Sequence, residues 1–195
     1  IPHGIMFHHF HGNGHPVVLG SIDASQLADM LGFLGERSRI LGAREWMEKA
    51  LARRLGQDEI CLTFDDSLLC QMEVAVPVLE AAGLTGFFFV YSSVFEGGLE
   101  RLEIYRAFRT VHFESVDGYY DRFFEIVEDS EFGAADAEAL RDFEPAKYVP
   151  EYPFYSDNDR KFRFVRDEIL GHDAYTRLMD SIIERTTSLE ILAES

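Results

Sequence analysis

Two adjacent carboxylates, Asp65 and Asp66, close the apolar run 59–64, and four of the seven histidines, His8, His9, His11 and His15, fall within eight residues near the start of the chain. Neighbouring carboxylates repel, so such a pair persists at low cost only where a cation, a shared proton or hydrogen-bond donors offset its charge. One Asp ahead of a helix is explained by N-capping; two in succession after a buried strand are explained less well. An imidazole beside carboxylates has its charged form favoured and can act as an acid, a donor to substrate or a metal ligand. For any one histidine taken alone, a structural role is the commoner outcome. Cys61 and Cys70 flank the pair; two thiols are too few for a disulfide framework or a four-cysteine zinc site, and both read as small buried apolar residues.

The elements that must position these groups alternate. Residues 5–10 read as a first strand and 25–34 as a helix with Leu27, Met30, Leu31 and Leu34 on one face, entered through Asp23 with Gln26 as capping-box partner. Residues 45–55 repeat the helical period and stop at Gly56, an expected C-cap. The run 59–64 is a second strand, 74–82 a helix broken early by Pro77 and closed by Gly83, and 85–91 a third strand. This order is that of a parallel sheet with right-handed helical crossovers. In such sheets the carboxyl ends of neighbouring strands converge on one rim, so adjacent first and second strands would bring the histidines to the Asp pair. Because side chains alternate along a strand, His8 and His9 should face opposite ways, and at most one faces the pocket.

After Gly97 and Gly98 the texture becomes helical, at 100–109, 116–127 and 175–185, with a Pro-containing connection at 144–155. Residues 99–190 are expected to be a mostly helical insertion without strands. The aromatic stretch 148–154 suits the packing of a connection onto a core better than a sugar-stacking platform.

The 35 acidic against 18 basic residues give a net charge of -17, which repels nucleic-acid phosphates and anionic membrane surfaces. The longest strongly apolar run, 86–91, falls far short of the ~20 residues that cross a bilayer. The start, Ile1-Pro2-His3-Gly4, shows no basic segment followed by an apolar one, so a cytoplasmic location is expected. The sequence leaves the oligomeric state open.

Thr63-Phe64-Asp65-Asp66-Ser67 resembles the Thr-Phe-Asp-Asp-Gly motif of the polysaccharide deacetylases, the NodB-homology group of carbohydrate esterase family four. Met6-Phe7-His8-His9-Phe10 resembles that family's first strand, Val76-Pro77-Val78-Leu79 its Pro-Val-Leu helix, and Thr85-Gly86-Phe87-Phe88-Phe89-Val90 its third strand, in the same order. The later stretch Leu102-Glu103-Ile104-Tyr105-Arg106 resembles members associated with bacterial surface sugars.

The resemblance implies an α/β fold, an incomplete deformed (β/α) barrel with parallel strands and a helical insertion after the third. It implies a hydrolase that removes acetyl from an N- or O-acetylated sugar with a divalent metal, usually zinc. Asp65 matches the catalytic base and Asp66 the metal-ligating carboxylate; His8, His9 and Ser67 fall in substrate-binding or auxiliary positions. There are two departures. Ser67 stands where the family has Gly, which puts in question any positive φ required there. The family also draws two metal ligands from a His-x-x-x-His segment, which is expected to be absent from all of residues 1–195. Residues 1–195 are therefore expected to be an N-terminal part of the domain, inactive alone, with that segment and further strands past Ser195. Two other readings stand beside this one. A non-catalytic carbohydrate-binding or scaffold protein on a decayed version of the fold would explain both departures. An acidic phospho-acceptor pocket fits less well, because the carboxylates are adjacent rather than in Asp-x-Asp spacing and no Lys follows a later strand.

Overall fold

The computed structural model describes residues 1–18, 20–187 and 192, and falls into two compact units, Ile1–Glu100 and Arg101–Ser195. The first runs β1 (His3–Phe7), α1 (Ala24–Gly35), β2 (Arg39–Ile40), α2 (Ala43–Leu51), β3 (Glu59–Phe64), a π-helical turn (Gln71–Ala75), α3 (Val76–Ala81) and β4 (Phe87–Phe88). All strand pairings are parallel. β1 lies along one edge of β3, from His3 opposite Ile60 to Phe7 opposite Phe64. The other edge is shared, with β2 against Glu59 and Ile60 and β4 against Thr63 and Phe64. The unit is thus the alternating α/β arrangement expected; among the described residues its sheet is open rather than closed into a barrel.

Local chemistry explains most boundaries. Asp23 Oδ1 accepts from the Gln26 N–H at 2.8 Å and Gln26 Oε1 accepts from the Asp23 N–H at 2.9 Å, the reciprocal box that starts α1. That helix buries Leu27 and Leu31, whereas Met30 turns to solvent. Helix α2 ends earlier than expected, because Arg53 takes a left-handed φ of 54° and turns the chain out of the helix. Gly56, expected as the cap, instead donates its N–H to Glu59 Oε2 at 2.7 Å. Pro77 does not break a helix: it sits in the first turn of α3, where no N–H is needed. β4 is shorter than the run 85–91. Its approach to β3 depends on Gly86, where a Cβ would come within 2.7 Å of Phe64 Cε2.

The core of this unit lies between the sheet and helices α1 and α3: Phe7, Phe10, Leu27, Leu31, Leu62, Phe64, Cys70, Val74, Ala75 and Leu79 are all buried. Phe64 and Leu27 are fully buried; burial of side chains of this size stabilises by about 1.5–3 kcal/mol each. Neither Cys61 nor Cys70 forms a disulfide, and both are buried, as expected of small apolar residues.

The second unit contains α4 (Arg101–His112), α5 (Val116–Glu128), α6 (Gly133–Ala139), α7 (Asp157–Phe164), a π-helical turn (Val165–Leu170) and α8 (Gly171–Thr186), with no strand among its described residues. Its core is aromatic, with Phe108, Tyr119, Phe123 and Phe162 buried beside Met179 and Ile183. Residues 144–155 are pinned by Arg160, which is 6% exposed and donates to the carbonyls of Val149 at 2.9 Å and Tyr152 at 2.8 Å as well as to those of Tyr148 and Tyr155. Tyr148 packs on Phe164, while Tyr152 and Phe154 reach solvent. No helix among the described residues is long and apolar enough to cross a membrane.

Candidate active site

β1 and β3 end in register, and the Asp65 N–H donates to the Phe7 carbonyl at 3.2 Å, carrying the pairing one residue past the sheet. The residue that follows β1 is His8. Its Nε2 lies 3.7 Å from Asp66 Oδ2 and 4.0 Å from Asp65 Oδ2, an ion-pair arrangement if the ring is protonated. The three side chains differ in access: His8 is 35% exposed, Asp65 29% and Asp66 13%. Asp65 is therefore the carboxylate more open to water.

The rim is tied from below by Gln71, which is 1% exposed and donates its side-chain amide to the carbonyls of His8, at 2.9 Å, and Asp65. Gln71 opens the π-helical turn, a distortion that recurs at functional sites. The backbone at the Asp pair is itself unusual, with a φ of 75° at Asp66 and 56° at Ser67. A left-handed residue with a Cβ costs on the order of 1–2 kcal/mol, so two in succession hold only because surrounding contacts fix them. Ser67 thus adopts the positive φ that the Gly of the resembled motif would allow freely. Its Oγ donates to the Phe89 carbonyl at 3.1 Å, lacing the loop to the chain just past β4. The Phe89 N–H in turn donates to the Phe64 carbonyl at 2.8 Å.

Tyr91, two residues on, donates its hydroxyl to Asp66 Oδ1. Nothing in a motif marks this residue. The available signal is positional: it is the first side chain with a hydroxyl after the apolar run 86–90, at the carboxyl end of a strand adjoining β3.

His11 and His15 meet other partners. His9 is half-buried and its carbonyl accepts the Ile22 N–H at 3.3 Å. His11 Nδ1 meets Ser21 Oγ at 2.9 Å, and His15 Nε2 meets Glu73 Oε2 at 2.8 Å. Contrary to the expected absence, His11 and His15 stand in His-x-x-x-His spacing, ahead of the Asp pair. The three residues between them, Gly12, Asn13 and Gly14, all have positive φ, so the two imidazoles leave a tight turn toward different partners rather than one cation.

The donor set can be compared with a divalent metal. Two ligands on a tetrahedral zinc, each ~2.1 Å from it, lie about 3.4 Å apart; Asp66 Oδ2 and His8 Nε2, at 3.7 Å, fit two such positions. Carboxylate oxygen and neutral imidazole nitrogen are also the right donor types. The number falls short, since no group of three or more His, Cys, Asp or Glu is arranged to hold a metal among the described residues. No family model, curated protein or solved structure matches this chain.

Proposed function

We propose that this rim is part of a metal-dependent deacetylase site acting on N- or O-acetylated sugars, in which Asp65 handles the proton of the attacking water and Asp66, with His8, contributes to holding the cation. The observation that carries the proposal is the placing of two carboxylates and one imidazole at the ends of adjacent parallel strands, within 4.0 Å of one another through His8 Nε2. Asp65, the more exposed carboxylate, has the access a base needs. In an acetyl hydrolysis it takes a proton from water as the oxygen bonds to the acetyl carbon; cleavage of the C–N or C–O bond then releases acetate, and the sugar amine or hydroxyl leaves with a proton. A divalent metal, zinc being the usual one, would supply polarisation of the acetyl carbonyl and acidification of the water. Asp65, protonated by the attacking water, is placed to return that proton to the leaving amine or hydroxyl, while His9 and Ser67 keep auxiliary roles.

The same donor shortfall favours one other reading, a sugar-binding protein without turnover on this scaffold. One experiment separates the two. Acetate release from an acetylated sugar oligomer and metal content by elemental analysis are measured for the full-length protein. Asp65→Asn should lose about 100-fold or more in turnover while keeping metal, whereas Asp66→Ala should lose both. Equal metal loss in the two variants would merge the roles; no acetate release from the parent would leave the binding reading.

A further inference from the structure

We infer that Asp136 is a pH-sensitive latch for α6: its carboxyl, shut inside the second unit with one oxygen lacking a donor, seats the helix while protonated and loosens it when ionised.

The buried face of α6 is small. Of its 7 residues only Gly133 and Asp136 are buried, and neither supplies an apolar side chain. Phe132 and Leu140 pack on the aromatic core just outside the two ends of the helix, so between these anchors the seating of α6 turns on one carboxyl. Asp136 is 7% exposed, and among the described residues no donor reaches its Oδ1. The corner before the helix leaves it little room to shift. Ser130 Oγ donates to the Val127 carbonyl at 2.6 Å and accepts the Phe132 N–H at 3.1 Å. A Cβ at Gly133 would lie 2.1 Å from the Glu128 carbonyl oxygen, so helix and corner are already in close contact. The carboxyl gains water only if α6 turns away from α5.

A neutral carboxyl is tolerated in such a place far better than a carboxylate, whose charge needs donors or water. Burial pushes Asp136 above its ordinary value of 3.8; Lys161 on α7 opposes this, and Glu128 at the end of α5 adds to it. The other elements against α6 are the turn Leu140–Asp142 and the π-helical turn Val165–Leu170. Their Arg141, Asp142, Asp167 and Glu168 are exposed, and Arg166 is engaged by Asp167 at 2.6 and 2.8 Å. With a raised folded-state value, the contribution of Asp136 is fully present below the unfolded carboxylate range and is lost as pH rises through the folded value. Acid seats the helix, and base frees it.

The test is amide hydrogen exchange of the full chain from about pH 4 to about pH 8, expressed as protection factors so that the intrinsic pH dependence of exchange drops out. In the parent, protection of the α6 amides should fall by a factor of about 5–30 as pH rises, while that of Met179 and Ile183 in α8 holds. Asp136→Asn keeps the shape without the charge and should show constant protection in α6. Two further variants should move the midpoint in opposite directions: Glu128→Gln, by removing a repelling charge, lowers it, and Lys161→Met, by removing an attracting one, raises it. Asp136→Ala, with neither charge nor donor, should be as constant as Asp136→Asn and decides the matter if the Asn variant fails to fold. A parent whose α6 protection stays as constant as in the Asp136 variants would overturn the inference. So would a loss shared equally by α6 and α8, which would belong to the whole unit rather than to a latch.

Discussion

Phe7 and Phe64 face each other across the parallel β1–β3 pairing, with ring centroids 5.5 Å apart and planes inclined by 21°. Both rings point into the helix-covered core, so the residues that follow them leave the sheet at the same height. This pairing is what makes His8 and Asp65 neighbours although 57 positions separate them in sequence. The rings thus do for the site what a register peg does: a one-residue slip would turn Phe64 out of the core and carry Asp65 away from His8.

Gln71 completes the arrangement, and its removal is the most direct test of the rim. With Gln71→Leu the carbonyls of His8 and Asp65 lose their shared donor, at a cost of about 1–3 kcal/mol in unfolding free energy. Gln71→Glu should cost more at pH 8 than at pH 5. An ionised carboxylate cannot donate to two carbonyl oxygens, whereas the protonated acid can donate once. Urea titrations of both variants at the two pH values check this; a Glu variant whose deficit relative to Gln71→Leu does not shrink toward acid would show that the amide is not acting as a donor.

Ser67 offers a second test, of backbone strain. Gly at this position would relieve roughly 1–2 kcal/mol of left-handed strain, offset by backbone entropy of roughly 0.5–1 kcal/mol and by the bond to the Phe89 carbonyl. Ser67→Gly should therefore stay within about 1 kcal/mol of the parent, while Ser67→Val, β-branched in a left-handed conformation, should fall at least about 2 kcal/mol below it. Chemical denaturation ranks the three. Parity between Val and the parent would mean that the positive φ of 56° is not held in solution.

Much of the positioning framework was legible in the sequence, for reasons these residues make plain. Asp23 and Gln26 announce a helix start because the capping box is local chemistry, and the strand Glu59–Phe64 shows as a bounded apolar run. β2 was not legible: two residues, Arg39 and Ile40, carry no periodicity, and their pairing is set by the neighbouring strand. α7 was missed because its polar residues Asp157, Asn158, Asp159, Arg160 and Lys161 hide the apolar period, although Ser156 and Asp159 form a capping box. At the site, the Asp pair and the histidines were visible as chemistry. Gln71 and Tyr91 were not, since each acts through a contact 25 to 63 positions away in the chain.

Glu59 should give the first unit a pH signature. The carboxyl is held below its ordinary value of 4.5 by its hydrogen bond to Lys49 and by the Gly56 N–H, with the charges of Lys49 and Arg39 adding to these against the opposing effect of burial. A depressed folded-state value means that the stabilisation is fully present above the unfolded carboxylate range and is lost as pH falls through the folded value. The parent should therefore lose stability more steeply than Glu59→Gln as pH drops below about 4.5. Thermal melts of the two proteins from pH 7 to pH 3 check the sign. A constant difference between them across that range would show that the ion pairs at the start of β3 contribute nothing that titrates.

The face of the sheet opposite the helices leads to the last prediction. Side chains alternate along β1 and β4, so Phe7 and Phe88 point toward the helix-covered core while Met6 and Phe89 point the other way. Met6 is 59% exposed and Phe89 55% exposed. Parallel sheets are ordinarily covered on both faces, and a contiguous exposed apolar patch favours association. The chain should therefore self-associate at high concentration, and Met6→Lys combined with Phe89→Lys should reduce that association. Because both positions are exposed, unfolding free energy should change by no more than about 0.5 kcal/mol per site. Leu51, 80% exposed at the end of α2, supplies the control: Leu51→Lys adds the same kind of charge at a site off the sheet. Static light scattering over a concentration series compares the three proteins. If Leu51→Lys suppresses association as well as the sheet-face pair does, net charge is the cause and the exposed face is not.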